Sequence, residues 1–493
     1  MLFCKKYSFE KIVLTILFSF SVVCCISIIV FPQLRLLLLK FAGEKMLSAP
    51  MTTIIVSGIF LFILHCENIV FRFFEKRLIF IAYLVISIIA LLIRISGFQF
   101  VSRDYRVFII PWIEHLSENR HFFGIATIKS DYLPFYHYFM SIISFLPKYL
   151  WLPCVKAISC FFDFLLAAII GKIVLYVCNS KLRALAAYSF VLLCPTVFFN
   201  SGIWAQCESI YAAFVFLSLL FFLKNKSALA FFFYGIAISI KLQAVFVLPF
   251  IVFLYFRRSF TFSKLFYFFA GIISTVVVGL PFGAHIQMIK AYFKQATGYA
   301  GSLTLNAPSI FSLFSANNDV KLFNGIGIIF TFAVLFGIFI LLELFGNQRG
   351  SRTSLFIKKC VTRRLTIIQN RDAIMYITLF FFCSLIVPFF LPRMHERYFY
   401  LAEIASILYA VVIPKRWYIS LLIILPSCVT YFNYLFGNGG RLLPLGLIVM
   451  TAVILVIKWT IQSIMNYEHK ERFTKQKPAK RYTRLSARRI GRR

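Results

Sequence analysis

The residues best suited to chemistry in this sequence lie at the ends of apolar runs, where a charge is costly and needs a reason. Asp104, in VSRDYRVFIIPWIEHL, follows one such run directly. A carboxylate against an apolar wall can act as a general base. A headgroup-level Asp paired with Arg103 or Arg106 is the plainer alternative. Lys241 stands inside FFFYGIAISIKLQAVFVLPF, with Gln243 beside it. A buried lysine needs a counter-charge, which a lipid phosphate would supply, unless the side chain snorkels to water. Arg393, His395, Glu396 and Arg397 sit in PRMHERY, directly after another apolar run. Two arginines and a histidine suit a phosphate or diphosphate, with Glu396 placed to orient them. This is not a zinc HExxH motif, because Phe399 stands where the second His would be.

Further segments extend the set. NSGIWAQCE, from Asn200 to Glu208, puts Trp204, Gln206 and Glu208 at the junction of two apolar runs. A substrate-binding cluster is favoured there over a helix cap with an interfacial Trp. Tyr132 lies just before Pro134, which fixes the chain entering a helix; Asp131 is either a cap or a site residue. The loop Phe282–Ser309, with His285, Lys290, Lys294 and Tyr299, either covers a substrate groove or is simply solvated. No Gly-rich phosphate loop and no metal-ligand spacing is present. A nucleotide is therefore a poor direct substrate. A lipid carrier fits better, because its phosphate would lie at headgroup level beside these cations. No cofactor is required; no spacing demands a divalent metal and none forbids one.

The elements that must position these residues are apolar. The chain is 61% hydrophobic and 14% charged, with a mean hydropathy of +0.87, and could not cover a soluble surface. Runs matching bilayer thickness fall near 11–32, 51–70, 78–97, 154–177, 184–200, 206–223, 228–241, 242–256, 265–282, 323–345, 373–391, 398–413, 418–434 and 443–464. They predict an all-α, polytopic transmembrane helical bundle of about fourteen crossings. The net charge of +35 is spread over short loops and the tail Lys470–Arg493. That pattern reads as positive-inside topology and attraction of the tail to anionic headgroups of membrane lipids, and no nucleic acid is expected as a partner. The basic loop Asn347–Asp372 and both termini are then cytoplasmic, and every candidate residue above projects to the outer face. Arg35, Lys40 and Lys45 break this scheme, so the orientation of the first hairpin stays open. Residues 1–32 read as a retained first helix, not a signal peptide. The outer loop 98–135 should carry juxtamembrane helices lying on the membrane surface, continuing through a juxtamembrane segment 135–150. Twelve cysteines form no CxxC pair and read as small buried apolar residues. The expected organisation is an N-terminal hairpin (1–77), a catalytic membrane core (78–413), C-terminal transmembrane helices (414–465) and a basic cytoplasmic tail (466–493). An excess of Phe, Ile and Lys fits a bacterium of low genomic GC content.

Taken in order, these elements resemble the GT-C superfamily of integral membrane glycosyltransferases, and within it the bacterial mannosyl- and glucosyltransferase-like enzymes that use polyprenyl-phosphate sugars. The likeness rests on Arg103-Asp104-Tyr105 followed by Pro111-Trp112-Ile113, and on Tyr132-Leu133-Pro134 as a Tyr-Pro-Pro-like element. It continues with Trp204-Ala205-Gln206-Cys207-Glu208, like Trp-Gly-Gln-x-Asp, and Lys241-Leu242-Gln243, like Lys-Pro-Gln. Arg393–Tyr398 matches Arg-Met-His-Glu-Arg-Tyr in full. The resemblance spans residues 78–413. Leu133, Ala205, Glu208 and Leu242 depart from it, and the longer arm of Glu208 alters that residue's role most. It implies a GT-C-like fold with a large first outer loop, and an inverting transfer at the outer face of a bacterial inner membrane. Asp104 would deprotonate an acceptor hydroxyl, which attacks the anomeric carbon of a hexose-like sugar on polyprenyl phosphate. Lys241, His395, Arg397 and Arg393 would bind the donor phosphate, and Tyr132, Trp204, Gln206, Glu208, Gln243 and Glu396 the substrates. The implied acceptor is a glycan, a glycolipid or a protein. A transporter or flippase of a lipid-linked saccharide would share the polar helix ends, but should show inverted repeats and polar groups at the membrane midplane. A membrane scaffold would leave the clustering at one face unexplained.

Overall fold

A computed structural model describes residues 77–257, 262–297, 303–314, 320–346, 362–437 and 441–475. The expected helices 11–32 and 51–70, Tyr299, most of the basic loop after Asn347 and the end of the tail lie outside the described residues.

The described chain is mostly helix: α1 (Arg77–Ser96), α2 (Ile110–Glu118), α3 (Pro134–Ser144), α4 (Trp151–Cys178), α5 (Lys181–Leu192), α6 (Glu208–Leu223), α7 (Ser227–Ile240), α8 (Leu248–Arg257), α9 (Ser263–Val277), α10 (Ala284–Thr297), α11 (Val320–Gly346), α12 (Thr362–Phe390), α13 (Tyr400–Val412), α14 (Tyr418–Phe436) and α15 (Leu442–Lys475). Among the described residues, 6 helices are long and apolar enough to cross a membrane, or 7 if α5 and its continuation Pro195–Ile203, bent by 49°, make one span. α6, α7, α9 and Leu242–Tyr255 are shorter apolar helices. Every expected run from 78–97 onward coincides with a helix or a broken pair of helices, because without water each backbone N–H and C=O must be satisfied within its own segment.

Burial separates centre from rim. The apolar window of α12 is 94% buried and that of α4 72%, whereas those of α1 and α11 are only 22% buried. The outer helices turn Ile81, Leu92, Ile329 and Phe332 outward. Those side chains would clash with water but match acyl chains.

Between α1 and α4 the chain forms a layer of short elements: a π-helical turn (Tyr105–Ile109), α2, a 3₁₀ turn (His121–Ala126) and α3. The 11 residues of α3 reach about 16 Å, half the hydrocarbon thickness, so α3 is too short to cross a bilayer on its own. Pro134 starts it, and Leu133 before the proline is extended (ψ 157) as that linkage requires. Two short strands, β1 (Thr304–Leu305) and β2 (Met394–His395), pair in parallel.

Candidate active site

Two irregular turns deliver the central side chains. Asp104 immediately precedes the π-helical turn Tyr105–Ile109, and Trp204 immediately follows another, Phe199–Ile203. A π-turn inserts a residue into the helical spacing and re-aims the side chains beyond it. The two turns are fastened to each other: Ser102 Oγ donates to the Trp204 carbonyl (2.8 Å) and accepts from the Tyr105 N–H (3.2 Å). Glycine permits the approach, since a Cβ on Gly97 would lie 2.7 Å from Ile203 Cγ1 and one on Gly202 3.0 Å from Arg94 Cα. Lys156, from α4, donates to the carbonyls of Gly97 and Phe100, both at 2.7 Å. It thereby satisfies acceptors left open where α1 ends. After Trp204 the chain turns through Ala205 at φ 67, a left-handed conformation that costs a residue with a Cβ roughly 1 kcal/mol. That turn brings the Gln206 N–H onto the Asn200 carbonyl at 2.8 Å and sets Glu208 at the start of α6. Lys241 is extended (φ -153, ψ 135) between α7 and the 3₁₀ turn Leu242–Val247, so the helix breaks at the lysine.

These segments meet in one network. Asp104 Oδ2 accepts from Trp204 Nε1 (3.0 Å), Gln206 Nε2 (2.8 Å) and Arg397 Nη1 (2.9 Å). Its Oδ1 accepts from the Tyr434 hydroxyl. The Gln206 carbonyl oxygen accepts from the Tyr132 hydroxyl at 3.0 Å, which turns the amide nitrogen toward Asp104. Glu208 Oε1 is paired with Lys241 Nζ and lies 3.4 Å from Arg397 Nε. The Lys241 ammonium sits 5.2 Å from the Tyr132 ring centre, and the Arg397 guanidinium 5.5 Å from that of Trp204. Tyr434 stacks on Trp204 at 4.7 Å and 27°. The charges alternate, Asp104, Arg397, Glu208, Lys241, so each buried ion has a partner of opposite sign, the condition under which burial is tolerated. Asp104 does not pair with Arg103 or Arg106, which are exposed. Lys241, 5% exposed, does not snorkel. The N-cap of α3 is Leu133 and that of α6 is Cys207, neither with a side-chain cap, so neither Asp131 nor Glu208 is spent there.

Arg397 arrives on a 3₁₀ turn, Glu396–Phe399, that follows β2. Leu305 pairs with His395 across the strands, the Arg393 N–H donates to the Leu303 carbonyl at 2.8 Å, and Asn306 Nδ2 donates to the Thr430 carbonyl at 3.1 Å. Residues 303–309 are thus docked on the basic motif, not solvated; α10 fills the earlier part of the same loop. Arg393, at φ 62, stands apart from the carboxylates. Burial, and then the positive charges of Arg397 and Lys241, push His395 down to about 3. It is therefore a neutral N–H donor at neutral pH, not a third cation. Burial pushes Glu396 up to about 7, and Asp104 and Glu208 add to the rise. Among the described residues no ion pair joins Glu396 to Arg393 or Arg397. Asp104 and Glu208 are the carboxylates paired with Arg397, while the Arg397 charge acts on Glu396 without an ion pair. Gln243 is buried on the turn beyond Lys241, its Oε1 without a hydrogen-bond partner.

Sequence reasoning missed Tyr434, the fourth donor to Asp104. A tyrosine near the end of an apolar run reads as an ordinary interfacial anchor, so no local signal marks it. It also passed over charges inside apolar runs, where a signal did exist. Arg94 Nε donates to Asp163 Oδ2 at 2.8 Å, both side chains fully buried, and Ser201 Oγ donates to the same oxygen at 2.5 Å. Glu403 lies fully buried in α13. Among the described residues no group of three or more His, Cys, Asp or Glu is arranged to hold a metal ion. Compared with known proteins, the chain matches no family model and no curated protein sequence.

Proposed function

We propose that this protein is an inverting membrane glycosyltransferase of GT-C-like fold, moving a hexose-like sugar from a polyprenyl-phosphate carrier to an acceptor hydroxyl. In this reading the chain crosses a bacterial inner membrane about fourteen times with both termini cytoplasmic, and the site faces outward. One observation carries the proposal. A buried carboxylate, Asp104, shares an arginine, Arg397, with a second carboxylate that also holds a lysine.

The chemistry follows from that pairing. Asp104 takes the proton of the acceptor hydroxyl as its oxygen attacks the anomeric carbon from the side opposite the phosphate. The bond from that carbon to the phosphate oxygen breaks, and its electron pair stays on the lipid phosphate. Arg397 and Lys241, paired with Asp104 and Glu208, would meet that growing negative charge, and preorganised cations lower the barrier by stabilising it. Neutral His395 adds a hydrogen bond without adding charge. Trp204, Gln206 and Tyr132 hold Asp104 in place.

The test is a transfer assay on purified protein in detergent, with a panel of polyprenyl-phosphate sugars, a membrane lipid extract and an Asp104→Asn control. Loss of sugar from one donor to an extracted acceptor, absent in the variant, is the expected result. A second reading, a transporter or flippase of a lipid-linked saccharide, draws on the polar groups buried inside the bundle, Arg94, Asp163 and Glu403. Binding of a lipid-linked saccharide without consumption of any donor, and unaffected by Asp104→Asn, would favour it.

A further inference from the structure

Asp104 has only one oxygen with capacity to spare. Three donors, Trp204, Gln206 and Arg397, converge on Oδ2, which uses the directions a carboxylate oxygen offers. A hydroxyl that is to donate to this carboxylate must approach Oδ1. There the side-chain donor is Tyr434.

Tyr434 differs from the other three. Trp204 and Gln206 are buried and fixed by the two fastened turns, and Arg397 is also held by Glu208. Tyr434 is only half-buried, near the outer end of α14 and two residues before that helix stops. One face of its ring lies on Trp204. Its hydroxyl can leave Oδ1 by a side-chain rotation toward the exposed side, whereas Trp204 is fully buried and Gln206 and Arg397 are each held by a further partner, Tyr132 and Glu208.

We infer that the Tyr434 hydroxyl occupies the acceptor-hydroxyl position on Asp104, and that an acceptor alcohol enters by displacing it. The inference rests on the glycosyl-transfer reading and names the acceptor subsite within it. With the tyrosine displaced, the acceptor O–H donates to Oδ1 and passes its proton there as the new carbon–oxygen bond forms. The phenol keeps its own proton throughout. Between turnovers Tyr434 holds water off the base, so a bound donor is not hydrolysed.

The experiment has an arm that needs no turnover. A hydrophobic carbodiimide adds to a carboxyl oxygen and leaves an N-acylurea, read by mass spectrometry on the peptide carrying Asp104. Tyr434→Phe keeps the stacked ring and removes the hydroxyl, so Asp104 should label about tenfold faster than in the unaltered protein, the scale set by losing one hydrogen bond to a charged group. Tyr431→Phe, whose ring meets Trp204 edge-on at 5.2 Å, should label at the unaltered rate. Equal labelling of Tyr434→Phe and the unaltered protein overturns the gate. In the donor panel, Tyr434→Phe should raise the release of free sugar to water relative to transfer. Loss of transfer with no rise in hydrolysis makes Tyr434 a fixed partner of Asp104, and also overturns displacement. Faster labelling in a protein that consumes no donor leaves the gate standing and counts against glycosyl transfer.

Discussion

Among the described residues, the buried charges around Arg94 and those around Asp104 form clusters that are built differently. Around Arg94 and Asp163 the partners are enclosed and include backbone: Arg94 Nη1 also donates to the carbonyls of Ala90 (2.9 Å) and Leu192 (3.1 Å), and both side chains are fully buried. Around Asp104 and Arg397 the partners come from segments scattered along the chain, Arg397 retains 13% side-chain exposure, and Tyr434 leads to the surface. The first cluster joins α1 to α4 and closes. The second is held by side-chain partners, one of which, Tyr434, is only half-buried. Burial of a charge therefore does not mark a site by itself; a charge whose partner can be exchanged for a ligand does.

The sharpest way to break this contrast is to remove the same kind of group from each cluster. If the proposed transfer holds, Asp104→Asn should lower turnover about 10²–10⁴-fold, the usual contribution of a general base, with a smaller fall in melting temperature than at Asp163, because Arg397 keeps Glu208 as its counter-charge. Arg397→Ala should cost about 10²–10³-fold through lost stabilisation of the leaving phosphate. Asp163→Asn should do the reverse. Breaking a fully buried pair costs about 3–5 kcal/mol of stability, read as a large fall in melting temperature. Replacing both partners, Arg94→Met with Asp163→Leu, should recover most of it. If Asp163→Asn instead lowers turnover at unchanged melting temperature, the division into a structural and a chemical cluster fails.

His395 gives a pH handle on the second cluster. Its folded value is pushed down to about 3, against about 6.5 in an unfolded chain. Below pH 6.5 the unfolded chain binds a proton that the folded protein refuses, so stability is lost as pH falls toward 3. His395→Gln removes this loss and should flatten the fall in melting temperature between about pH 7 and pH 5; equal slopes would show that His395 is not held neutral. The smallest effect concerns the turn that aims Gln206. Ala205→Gly relieves the positive φ and should raise stability by up to about 1 kcal/mol at unchanged turnover. A loss of stability would mean that the turn is not strained.

The helices were legible because an apolar run of bilayer length admits little else; most ends fell within a few residues of the expected ones, but α12 begins eleven residues earlier, at Thr362, and α15 continues eleven residues further, to Lys475, because charged residues extend a helix beyond its apolar run. Asp104, Glu208, Lys241 and Arg397 were legible for a related reason: each interrupts or ends such a run, where a charge stands out. That the four share one ion network was not, because pairing across hundreds of residues leaves no local trace. Asp163 and Lys156 were hidden for the opposite reason, a single charge being diluted by the long apolar helix around it. The pairing of β1 with β2 depends on two dipeptides with no strand-like run of their own, and only the fold brings them together.

The scattering of the partners of Asp104 has a consequence for how the protein is made. Arg397 follows Asp104 by 293 residues and Tyr434 by 330. When Asp104 first reaches the membrane, neither its counter-ion nor its cover has been synthesised. Trp204 and Gln206 arrive earlier and can hold it meanwhile. A chain that stalls before α14 is made carries a carboxylate whose Oδ1 lacks its tyrosine partner. The network around Asp104 is thus completed last, when synthesis of the bundle is itself nearly complete.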